Sequence, residues 1–137
     1  MPVQIIVTRN RFPDIIRQMR AQSSRIVRET AFAIQTNVHD GMSSSHSGRL
    51  YTFGNVIHQA SAPGEMPAID IGKLFASIAV EAEPGSTEAF VYTDAKYSPH
   101  LEFGTVHMGA RPFMTPATEQ ERAGFEQRFR DLEGSLR

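Results

Sequence analysis

No cysteine occurs among the 137 residues, which excludes disulfides, thiolate zinc centres and cysteine nucleophiles and gives no sign of an oxidising compartment. No apolar run approaches a membrane span. The opening MPVQIIVTRNRFPD has four apolar residues before charge resumes, too few for a signal-peptide core. A cytoplasmic folding environment with no membrane partner is therefore expected. A phosphate-binding glycine loop, a dinucleotide fingerprint and an internal repeat are also missing, and no serine stands in a G-x-S-x-G elbow. The serines cluster at 43–47, where the Ser45-His46 neighbours read as loop chemistry. His100, Glu102 and His107 lack zinc-helix spacing, and a deaminase H-x-E needs a P-C-x-x-C that this chain cannot supply. No catalytic, cofactor-binding or metal residue is assigned.

What is present is enough apolar residue, 40% of the chain, for one domain with a single small core. The net charge is only −1, but it is unevenly placed. Residues 1–60 hold seven Arg against Asp14, Glu29 and Asp40, and residues 61–137 hold seven basic against twelve acidic residues, so the two parts carry +4 and −5. Such a dipolar chain suits head-to-tail contact between copies of itself better than dedicated nucleic-acid binding, which favours an overall basic protein.

Residues 11–40 read as one long helix: Pro13 suits a first turn, Asp14 suits the positive end of the dipole, and Gly41 stands where a C-terminal stop belongs. Ile15, Ile16, Met19, Ile26, Val27, Ile34 and Val38 give it an apolar stripe. Arg17, Arg20 and Arg28 fall on another face, which reads first as solvated and second as a surface for an acidic partner. A mobile loop and hairpin arm is expected over 42–61, with its turn at Gly54-Asn55. Tyr51, Phe53, Val56 and Ile57 are candidate contacts to a neighbouring subunit, because this hairpin has few apolar residues to cover it. After the Pro63-Gly64 turn and Pro67, Asp70 is placed to cap a short helix in which Leu74, Phe75 and Ile78 share a face. A second hairpin spans 76–94 around Pro84-Gly85. A terminal helix follows from Thr115, with Pro116 in its first turn, a Thr118 to Glu121 capping-box spacing and Phe125, Phe129, Leu132 and Leu136 on one face. The order predicts an α+β fold in which a long N-terminal and a C-terminal helix pack on a small antiparallel sheet of hairpins.

The segment YSPHLEFGTVHMGARPFMTPA, residues 97–117, reads as mechanical hardware. Tyr97, Leu101 and Phe103 form an apolar cluster over a short turn ended by Gly104, and Arg111 is the expected partner of Glu102, with backbone donors as the other choice. Together with SAPGEMPAIDIGKLFASI, residues 61–78, this segment resembles the head-tail joining or neck proteins of long-tailed bacteriophages, also labelled minor tail or tail-completion components. Ser61 to Glu65, Pro67, Ala68, Asp70, Gly72, Leu74, Ser77 and Ile78 fit the first motif. Tyr97, Glu102, Phe103, Gly104, Thr105, Ala110, Arg111, Pro112, Phe113, Pro116 and Ala117 fit the second. Ile71 departs from the Thr usual in the family. The resemblance implies a non-enzymatic virion protein at the head-tail junction, assembled in the host cytoplasm, with copies of itself in a ring and other neck, portal-adaptor or tail proteins as partners. A tail-terminator or head-completion (stopper) role, non-specific contact with passing DNA, and a DNA-binding module using Arg17, Arg20, Arg25 and Arg28 are the alternatives.

Overall fold

Helix α1, Phe12–Ser43, is built on the signals read above: Pro13 opens it, Asp14 lies in its first turn, and the Asn10 side chain accepts the Phe12 N–H at 3.0 Å. The structure, a computed structural model, describes residues 9–136, so the apolar N-terminal run lies outside it. Gly41 does not stop the helix. It lies inside the last turns, where a Cβ would collide with the Met66 side chain, and Ser44 ends the helix by bonding back to Gly41 O.

Beyond α1 come β1 (Leu50–Phe53), β2 (Val56–Gln59), α2 (Lys73–Ser77), β3 (Ala79–Glu81), β4 (Phe90–Tyr92), α3 (Ser98–Phe103) and α4 (Met114–Ser135). The fold is α+β, but the strands make two separate two-stranded antiparallel sheets instead of one. β3–β4 pairs Val80 with Val91 and packs along α1, where Gln35 donates to Ile78 O at 2.8 Å. Helix α4 runs antiparallel to α1, with Asn37 donating to Glu121 at 2.9 Å and Arg128 to Thr30 at 3.1 Å. The core gathers Val38 and Met42 of α1, Leu74 and Ile78 around α2, and Phe113 and Ala117 at the start of α4. Phe113 and Val38 are its largest fully buried side chains.

Candidate assembly site

The two sequence motifs, residues 61–78 and 97–117, meet in space. Ala62-Pro63-Gly64-Glu65 forms a turn closed by the Glu65 N–H on Ala62 O at 3.1 Å, with proline second and Gly64 third at φ +89°, a conformation that favours glycine. Gly64 N–H then donates to Ala110 O at 2.8 Å, and the Arg111 guanidinium donates to Ser61 O at 3.1 Å and to Gly109 O at 3.2 Å. Arg111 thus ties the second motif to the first through backbone carbonyls. It is not the partner of Glu102.

Glu102 instead caps α4 from outside the helix. Its carboxylate accepts the N–H of Phe113, Met114 and Thr115 at 2.9, 3.1 and 2.9 Å, and the Thr115 hydroxyl at 2.6 Å. Orphan donors at a helix start are thereby satisfied, and the negative charge meets the positive end of the dipole. Burial alone would raise the Glu102 pKa, but these four bonds together hold it below the ordinary carboxylate range. The expected capping box fails because the helix starts at Met114, so that Thr118 bonds back to Met114 O and Glu121 serves Asn37 and Arg128. Gly104, φ +75°, makes the geometry possible: a Cβ there would press on Met108 O and Ala110 N. Thr105 N–H donates to Met108 O at 2.8 Å, closing a tight turn that exposes Val106 almost completely, at 97%.

The apolar cluster expected of Tyr97, Leu101 and Phe103 does not form. Leu101 packs against the core, while Tyr97 is exposed and Phe103 is 80% exposed. Pro112 leads into the buried Phe113, Pro67 is buried, and Leu74 joins the core. Asp70 is not a cap, since α2 begins after Gly72 with no side-chain bond at its start. The Asp70 carboxylate instead lies near the Tyr51 hydroxyl, where its charge and acceptor oxygens raise that group's pKa.

Sequence reasoning missed Glu65 as a site residue. Its carboxylate accepts the N–H of Ala62 at 2.8 Å, the N–H of Ser47 at 3.1 Å and the Ser47 hydroxyl, and His46 lies 3.7 Å away. The Ser47 hydroxyl and the two amides hold its pKa down at about 2. The segment read as a mobile loop is therefore anchored at Ser47. A glutamate closing a Pro-Gly turn was the available signal, although nothing in the sequence names Ser47 as its partner.

The β1–β2 hairpin pairs Tyr51 with His58 and Phe53 with Val56 around Gly54-Asn55, as expected. Residues opposite each other share a face. Phe53 and Val56 therefore lie on one face and Leu50 and Ile57 on the other, all exposed, with Phe53 at 66% and Ile57 at 72%. Among the described residues no group of His, Asp and Glu is placed to hold a metal ion, and no helix is long and apolar enough to cross a membrane. Comparison with known protein families, curated proteins and solved structures finds no match to this chain. The resemblance to neck proteins rests on the residues of the two motifs alone.

Proposed function

We propose that this chain is a non-enzymatic subunit of the head-tail junction of a long-tailed phage particle, working as part of an oligomeric ring. The observation that carries the reading is the β1–β2 hairpin, apolar and exposed on both faces. A lone two-stranded hairpin is marginal in water, and a tight apolar patch on a projecting element marks a contact surface. The two motifs support the reading in a second way: Glu65, Glu102 and Arg111 all direct their charge to backbone groups and, for the two glutamates, to a neighbouring hydroxyl, as parts of a frame. A tail terminator or stopper at the same junction would use the same frame and arm. Contact with DNA in the passage is compatible with the exposed Arg17 and Arg20, and would weaken steeply with salt.

Mass measurement across a concentration series, and again with purified head and tail complexes, tests the proposal. The expected result is a ring-sized oligomer or a monomer that joins the junction. Replacing Phe53 and Ile57 together with Ser, one from each face, should abolish head-tail joining. A chain that stays monomeric and joins no particle would sink the reading.

A further inference from the structure

Among the described residues, the apolar stripe of α1 outruns the elements that cover it. The bonds from Asn37 to Glu121 and from Arg128 to Thr30 set a register in which α4, ending at Ser135, stops opposite Ser23. From Arg9 to Gln22 every residue except Ile15 is exposed. Phe12, Ile16 and Met19, spaced i, i+4, i+7, continue the stripe into this overhang of about 16 Å, with Phe12 at 74% exposure.

An apolar groove of about 640 Å³ lies further along the same helix, with Val27, Ala31 and Ile34 for a floor and Phe90 and Phe125 on its walls. Its edge is acidic. Glu88 lines it, Glu81 stands opposite Phe90 on β3, and residues 74–95 contain no Lys or Arg. The overhang is basic in turn, since residues 9–28 hold six Arg against Asp14 alone. Arg25 is engaged with Glu29 and Arg28 lies over Phe32, whereas Arg20 has no acidic partner among the described residues and Arg17 reaches only Asp14, at 3.8 Å.

We infer that the α1 overhang of one copy docks in the groove of a second copy, with Phe12, Ile16 and Met19 as anchors and Arg17 and Arg20 facing Glu81 and Glu88. The occupant is another copy because the groove floor is the continuation of the overhang's own rigid helix, which cannot fold back onto itself. Anchors at this spacing are how an amphipathic helix fills a groove. Two different patches meeting head to tail generate a ring when the rotation closes. The inference rests on the ring reading and names its contact.

Reciprocal charge reversal on the full chain tests it, with particle mass read over a concentration series and again with purified head and tail complexes. Arg17→Glu with Arg20→Glu, and separately Glu81→Lys with Glu88→Lys, should each weaken self-association at least tenfold. An equimolar mixture of the two should restore it, because in an alternating ring every contact again pairs opposite charges. Phe12→Ser with Ile16→Ser should lose association while leaving the melting of the monomer unchanged. Wild-type-like assembly by either charge variant alone overturns the docking contact and leaves the ring reading standing. Failure of the mixture to recover likewise overturns it. Arg17→Glu with Arg20→Glu that assembles normally but loses salt-sensitive DNA binding makes the overhang a DNA surface. A wild-type chain that never associates removes contact and ring together.

Discussion

The two hairpins of this chain make an instructive pair. β1–β2 has four paired positions and a two-residue Gly54-Asn55 turn, whereas β3–β4 has three paired positions and a loop over 82–89. By local criteria the first is the better hairpin, yet its apolar side chains face solvent on both sides. The second lies along α1 with Val91 against the core. The Ser77 hydroxyl also meets that of Thr93 at 2.6 Å, joining the end of α2 to the end of β4. Turn chemistry and alternation decide whether two strands pair, while burial depends on which surface the rest of the chain brings up to them.

The contrast between frame and arm breaks most visibly at Phe113. Phe113→Ala should cost about 3–5 kcal/mol in urea denaturation, since it empties the middle of the core. A loss below about 1 kcal/mol would mean that the motifs do not hold the domain. Glu102→Gln comes next. It replaces a charged acceptor by an amide at the start of α4, and a loss of about 1–3 kcal/mol is expected, with faster hydrogen exchange at Phe113, Met114 and Thr115.

Acid sharpens the same contrast. The pKa of Glu65 falls from 4.5 unfolded to about 2 folded, so its stabilising contribution is complete above pH about 4.5 and fades as the pH drops towards 2. Glu102 is shifted in the same direction. Wild-type melting should therefore decline over that window, and Glu65→Gln should flatten the decline. An unchanged slope would remove Glu65 as an anchor. The smallest effect is expected in the arm: Phe53→Ser with Ile57→Ser should change the isolated chain's stability by less than about 0.5 kcal/mol. Amides at 50–59 should exchange quickly while those of β3 and β4 are protected. Unfolding of the isolated chain by this pair would place the arm in the core.

Both long helices, both hairpins and their order were legible because each depends on near neighbours in sequence: a proline and an acid at the start of α1, glycine turns, and periodicity. Three of the errors share one cause. Gly41, Asp70 and the Thr118 to Glu121 pair all carry correct local signals for a stop, a cap and a box, and each was overruled by a distant partner. Met66 packs against Gly41, Asp70 lies near the Tyr51 hydroxyl, and Glu102 takes over the start of α4.

By itself the sequence determined the two long helices, the two hairpins and the short helix α2, though not α3, together with the absence of any thiol chemistry, the uneven charge and the two motifs, since all of these follow from residue type and short spacing. Only the tertiary structure decided that Arg111 clasps Ser61 while Glu102 caps α4, that Glu65 holds Ser47, and that α1 outruns α4 by three turns. The physical reason is that a charged group or an apolar stripe states a need for a partner without stating which one. The partner is chosen when packing brings distant backbone amides and carbonyls within hydrogen-bond reach, or fails to bring a second apolar surface at all.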